Sequence, residues 1–232
     1  MSGPLVLLDL GRRGYGEVLE LQRQLCRQRM SGELASDLLL LVEHEPVVTL
    51  GRATRATSLP VPAAGLAARG FEVFDVERGG DVTLHAPGQL VGYPILDLTG
   101  WRRDLHWYLR QLEEVLIRGL DGVGVSAGRD PGRTGVWTGG RKIASIGIHV
   151  KQWVTFHGFA LNVTTDLSHF DLIVPCGLAG VRMTSVARER PGLADPWTAT
   201  RAAVISAFGA VFERELVEQP DRAAQLAMTA RS

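Results

Sequence analysis

The sequence predicts an α+β fold, a mixed β-sheet packed with helices. Three stretches lead to it. Residues 37–43 (Asp-Leu-Leu-Leu-Leu-Val-Glu) form a continuous apolar run of strand length, as expected of a strand covered on both faces. Residues 141–150 alternate, with Lys142, Ala144, Ile146, Ile148 and Val150 on one side and Ile143, Ser145, Gly147 and His149 on the other. Residues 105–120 gather Leu105, Tyr108, Leu109, Leu112, Leu116 and Leu120 on one helical stripe.

Composition narrows the function. The 232 residues are 45% hydrophobic and 22% charged, enough apolar material for a core without staples. Twenty-five basic residues balance 25 acidic ones, which argues against broad binding to nucleic acid or to an anionic membrane. No apolar run reaches the ~18 residues of a membrane span. No basic segment precedes the first apolar residues, so no signal peptide is expected. A cytoplasmic location follows, with Cys26 and Cys176 reduced. Only Lys142 and Lys151 of the basic residues are lysines. Arginine-favouring codon usage explains that bias. A lysine kept among arginines nonetheless retains an amine whose pKa responds to its surroundings.

The remaining elements follow in order. Residues 5–10 read as a first strand. Residues 15–30 have helical spacing with Val18, Leu21, Leu25 and Cys26 on one side, so Cys26 reads as core. Glu45-Pro46 breaks the apolar strand, and residues 47–50 resume it. Residues 53–70, rich in Pro, Ala, Gly and Thr, read as a surface excursion with a short helix at 63–68. Strands are expected at 71–76 and 90–98. Residues 123–163 are strand-like and punctuated by glycines, with 141–150 and 153–163 forming a hairpin. A last amphipathic helix is expected at 198–217. No repeat or linker interrupts the chain, so one domain over 1–217 is expected, with 218–232 a frayed polar tail.

Several residues could carry chemistry. In Ile173-Val174-Pro175-Cys176-Gly177, Val174 is pushed toward extended geometry by the proline, and Pro175 fixes its own φ. Gly177 removes bulk beside the sulfur, so Cys176 would stand at a rigid corner, although a free cysteine is also an ordinary small hydrophobe. Lys142 sits on an otherwise apolar strand face, where an amine must be paired, desolvated or snorkelling. Only about 3% of an ordinary thiol is thiolate at pH 7, and a nearby ammonium raises that fraction. Equally, Lys142 could simply end a hairpin beside Arg141. Arg78-Gly79-Gly80 lies between two strands, and its glycines allow close backbone approach to a ligand, or a plain turn. It matches neither GxxxxGK[ST] nor GxGxxG. The six histidines show no i, i+4 ligand pair, there is no Cys-x-x-Cys, and no Gly-x-Ser-x-Gly elbow is present. Neither a metal site nor a serine hydrolase is therefore expected.

Taken in order, the motifs resemble the lipoyl(octanoyl) transferase family. They are Glu43-His44, Arg78-Gly79-Gly80 through His85, Pro87-Gly88-Gln89-Leu90-Val91-Gly92-Tyr93-Pro94, Arg141-Lys142-Ile143-Ala144, His157-Gly158-Phe159-Ala160-Leu161-Asn162, the 173–177 stretch, and Thr184-Ser185. The likeness spans residues 5–212, and Ala86 departs from the glycine usual there. The resemblance implies a fold like the catalytic domain of biotin and lipoate protein ligases. It implies transfer of an octanoyl group from octanoyl-acyl carrier protein to a lysine of lipoyl domains and of the glycine cleavage H protein, the first step of endogenous protein lipoylation. Cys176 would be the thioester nucleophile and Lys142 the residue that lowers its pKa. Arg78, Gly79, Gly80, Asp81, Val82, Thr83, Leu84 and His85 would line the acyl site, with Ser145, Ile146, Gly147, Gly158, Phe159 and Ala160. No cofactor and no ATP would be required, because one thioester is exchanged for another. The rivals are an ATP-dependent ligase on the same fold, a cysteine thioesterase and a non-catalytic acyl-binding module.

Overall fold

The computed structural model describes residues 4–174 and 180–221. Pro175, Cys176 and Gly177 lie outside the described residues, as does most of the expected tail, residues 222–232. The chain opens with β1 (Leu5–Arg13), α1 (Tyr15–Ser31) and β2 (Leu38–His44). It then builds β3 (Val47–Leu50), α2 (Ala63–Ala67), β4 (Glu72–Asp75) and β5 (Val82–His85). It returns as β6 (Gln89–Ile95) and α3 (Leu105–Asp121), followed by β7 (Gly128–Asp130), β8 (Arg133–Thr138), β9 (Arg141–Lys151) and β10 (Val154–Asn162). Then come α4 (Val186–Glu189), α5 (Pro196–Phe212) and β11 (Leu216–Glu218).

Among the described residues, eight strands form one sheet in the order β11-β1-β2-β6-β10-β9-β8-β7, and β4-β3-β5 form a second. β11, β1 and β2 run parallel, and the neighbours from β2 to β7 pair antiparallel. The sheet is mixed, as the sequence predicts. The alternation of β2 explains its unbroken apolar run. Leu38, Leu40 and Val42 pack with Val18, Leu21, Leu25 and Cys26 of α1, while Leu39 and Leu41 pack with α3 and α5 on the opposite face. Cys26 is core, as its spacing indicates. The β9–β10 hairpin also forms as expected, with Gly147 opposite Gly158.

Two expectations need correction. The last helix does not run to residue 217. It ends at Phe212, Glu213 takes a left-handed conformation, and Leu216–Glu218 become a strand beside β1. The backbone groups on the open edge of β1 offer these residues partners that a longer helix would not. Arg201 holds the arrangement by reaching Asp9 of β1 and Glu218 of β11, each at 2.7 Å. The second correction is Leu105, which is 43% exposed. It is the first helical residue after the Asp104 cap, so the buried stripe begins a turn later at Tyr108.

The start of α3 depends on that cap. The Asp104 carboxylate accepts the N–H groups of His106 and Trp107 at 2.9 and 3.0 Å. Asp104→Ala is expected to cost about 1 kcal/mol, read as a lower urea midpoint with an unchanged slope.

Candidate active site

The β9–β10 hairpin and the 78–85 segment enclose a cavity of ≈ 480 Å³. The two elements meet through the backbone, where Gly79 N–H donates to the Ile148 carbonyl at 2.8 Å. Close contact here requires glycine in the hairpin. A Cβ on Gly147 would lie 2.9 Å from Arg78 Cδ and 3.1 Å from the Gly79 carbonyl oxygen. The Arg78 guanidinium is buried and donates to the Thr49 carbonyl at 2.7 Å and to its hydroxyl at 2.9 Å. Asp81 accepts from Ser58 at 2.6 Å and from the N–H of Val82 at 2.7 Å, which shapes the loop's far end.

Most of the expected acyl-site residues come together. Arg78, Gly79, Gly80, Asp81, Val82, Thr83 and His85 line the cavity, and so do Ser145, Ile146, Gly147, Gly158, Phe159 and Ala160. Leu84 does not. Strand alternation turns it into a small core with Val48, Leu66, Phe71 and Phe170.

Lys142 also lines the cavity and is only 2% exposed. Its Nζ donates to the Thr134 carbonyl at 3.0 Å and stands 5.4 Å from the Trp137 ring centroid. The bend of β8 makes room for it. Gly135 has φ +117°, and a Cβ there would sit 2.8 Å from Lys142 Cε. The backbone of Lys142 is bonded on both sides to the segment that follows Cys176 in sequence. Its N–H donates to the Arg182 carbonyl at 2.8 Å, and its carbonyl accepts Thr184 N–H at 2.9 Å. On the other flank, Val174 N–H donates to the Ser58 carbonyl at 2.9 Å.

A chain of side-chain bonds joins this region to His85. Asn162 Nδ2 donates to the Thr184 carbonyl at 3.0 Å, and Asn162 Oδ1 accepts from Gln89 Nε2 at 2.9 Å. Gln89 Oε1 then lies 3.1 Å from His85 Nδ1. A backbone carbonyl only accepts, so the polarity of the whole chain is set from Thr184 outward. That assigns the His85 proton to Nδ1 and leaves Nε2 as an acceptor.

Sequence reasoning missed several lining residues. Tyr15, Arg55, Tyr93, Leu109, Thr134 and His157 all face the cavity. Tyr15 carried no signal, because as the first residue of a helix it is explained by packing. His157 was visible only as part of the His-Gly-Phe-Ala motif. It adopts φ +58°, and its N–H is taken by Gln22 Oε1 of α1 at 2.9 Å. Near it, Tyr15 stacks on His85 with centroids 5.8 Å apart, and His44 Nε2 meets the Tyr93 hydroxyl at 2.8 Å.

These histidines are neutral. Burial pushes His44 down to about 4 and His157 down to about 3, and it holds His85 well below the ordinary imidazole value. Among the described residues no group of His, Cys, Asp and Glu is arranged to hold a metal ion, and no helix is long and apolar enough to cross a membrane.

The cavity, its arginine–glycine loop and its buried lysine all lie within the stretch that a known catalytic-domain family matches. The chain belongs to the family of lipoyl protein ligase A/B catalytic domains, whose model matches residues 14–213. Its relatives within that family include octanoyltransferases. The one from Gloeobacter violaceus is 54% identical over 176 residues, covering 76% of this chain and 77% of that protein. The one from Acidobacterium capsulatum is 48% identical over 229 residues and covers 92% of each. Among solved structures, a lipoate-protein ligase A bound with ATP superposes with a TM-score of 0.76 at 17% identity, covering 99% of this chain and 94% of that one. A bi-partite lipoate protein ligase from Thermoplasma acidophilum gives 0.73 at 18%, over 99% and 91%. At such identities the structural likeness is one of fold.

The neutral histidines make stability depend on pH. An unfolded imidazole gains its proton near pH 6.5, while His44 resists until about 4 and His157 until about 3. The unfolded state therefore binds more protons as pH falls, and folding stability declines through that window. The urea midpoint is expected to fall steadily from pH 6.5 toward pH 4. His44→Gln and His157→Gln should each flatten the slope.

Proposed function

We infer that the octanoyl transfer carried out by this family proceeds in this chain by a covalent route, with Cys176 as nucleophile and Lys142 as its proton partner. The observation that carries this reading is the setting of Lys142. It is buried at the cavity, and its backbone is bonded to the 182–184 segment just beyond the cysteine. Nothing in a merely structural hairpin end asks for a withdrawn amine at a cavity wall.

In the first half-reaction the Cys176 thiolate attacks the octanoyl thioester carbonyl. The carbon–sulfur bond to the donor breaks, and Lys142 passes a proton to the departing thiol. In the second, the amine of an acceptor lysine attacks the acyl-enzyme. An amide forms, Cys176 leaves as thiolate, and Lys142 takes the surplus proton. The cavity shelters the alkyl chain between the Arg78–His85 segment and the small residues of the hairpin. The donor is octanoyl-acyl carrier protein and the acceptors are lipoyl domains, including that of the glycine cleavage H protein. Each is a soluble partner, in keeping with a cytoplasmic enzyme. Exchange of one thioester for another, followed by aminolysis of the acyl-enzyme, needs no adenylate, so ATP is not consumed.

Intact-mass measurement tests the route. Incubation with octanoyl-carrier protein and no ATP is expected to add one octanoyl group, which a lipoyl domain then removes. Cys176→Ser should add none, and an adduct that survives this change refutes the assignment. In Lys142→Ala, the midpoint of thiol alkylation against pH is expected to rise toward ~8.5. Single-turnover acylation should slow by roughly 100-fold or more. An unmoved midpoint removes the role given to Lys142.

A further inference from the structure

The peptide that holds Lys142 is itself held from behind. Thr134 C=O and Gly135 N–H belong to one peptide unit, and its two ends point in opposite directions. The carbonyl accepts Lys142 Nζ at 3.0 Å. The N–H donates to Glu113 Oε1 of α3 at 3.2 Å. A single peptide plane therefore bridges a buried amine and a buried carboxylate, each aligned with its dipole.

Glu113 is 1% exposed, on a helix whose buried positions are otherwise mostly aliphatic. A carboxylate in that place is costly unless it is paired and hydrogen-bonded. Both its oxygens are engaged. Oε2 accepts from Arg110 Nη1 at 2.5 Å and from Arg129 Nε at 3.0 Å. Arg129 is fixed in turn by the Arg110 carbonyl at 3.1 Å and by Glu114 at 2.9 Å. Leucine would fill the same space without these requirements. What leucine lacks is an acceptor for Gly135 N–H.

We propose that Glu113 is a positioning residue for Lys142, acting through the 134–135 peptide unit. By fixing the tilt of that peptide, the carboxylate sets where the Thr134 carbonyl points and so where Nζ is held. It also concentrates charge on the carbonyl oxygen, since hydrogen bonds at both ends of a peptide polarise one another. The catalytic value of this device rests on the role given to Lys142 above. The positioning itself does not, and it can be read without turnover.

The chain provides its own reference for that reading, because its only lysines are buried Lys142 and exposed Lys151. Brief acetic anhydride treatment followed by peptide mass spectrometry gives the labelling ratio of Lys142 to Lys151. Glu113→Leu is expected to raise the ratio roughly fivefold or more, the scale of one lost buried hydrogen bond. Glu113→Gln keeps one carbonyl oxygen for the Gly135 N–H but turns an NH2 group toward Arg110 and Arg129, so its ratio should rise less than that of Glu113→Leu. Arg110→Ala/Arg129→Ala strips the carboxylate's ion pairs from surface positions. It should raise the ratio as well, and it serves if the leucine variant does not fold. An unchanged ratio in a folded Glu113→Leu protein overturns the proposal, and so does a Gln variant that behaves like Leu. Cys176 alkylation gives the link to catalysis. Glu113→Leu should shift its pH midpoint upward, with no further shift when Lys142 is already alanine. If Lys142→Ala leaves that midpoint unmoved, the catalytic reading fails while the labelling result still decides the positioning.

Discussion

Lys142 is an amine almost fully withdrawn from water, and the structure around it consists largely of what that withdrawal requires. Its Nζ needs an acceptor, which the Thr134 carbonyl supplies. Its stem needs space, which Gly135 provides by lacking a Cβ and by taking φ +117°. The strand that carries these two residues must then be anchored against a helix, and Glu113 of α3 reaches the Gly135 N–H to do so. Burying an unsatisfied polar group costs several kilocalories per mole in apolar surroundings. None of these pieces is therefore independent of the others.

The same lysine ties residues 182–184 to the sheet through its main chain. Arg182 and Thr184 pair with it on either side, and Thr184 starts the chain of amides that ends at His85. The lining of the cavity and the flank of the cysteine segment thus share one rigid frame. Beyond His85 the cavity meets Tyr15, Tyr93 and His157; the Tyr93 hydroxyl pairs with His44 Nε2, and the His157 N–H with Gln22. Rings that burial holds neutral line the cavity with π-faces and edges rather than with charge.

Where the structure departs from expectation, competition between local pattern and tertiary partners explains it. Residues 198–217 satisfy a helical pattern throughout, yet the open edge of β1 captures Leu216–Glu218. Leu84 belongs to a motif that lines the cavity, but a strand sends alternate residues to opposite faces, and Leu84 points into the smaller core. Leu105 matches the apolar stripe of α3 but occupies its first turn. A neighbour distant in the chain decides the first case, whereas the position within the strand or helix decides the other two.

The sequence by itself determined the elements whose periodicity is long or unambiguous. These include the doubly covered β2, the β9–β10 hairpin, α1 with Cys26 in its core face, and most of α3. The ordered motifs from Arg78 to Ala160 were enough to indicate most of the cavity's lining. Tertiary structure alone decided which residues from distant elements share that cavity, because contact across a sheet leaves no local period to read. Tyr15 and Leu109 lie tens of residues from the hairpin they help to enclose. Glu113 is the sharpest instance. In sequence it is one more acidic residue on an amphipathic helix. Only folding brings its carboxylate to the back of the peptide whose front holds Lys142.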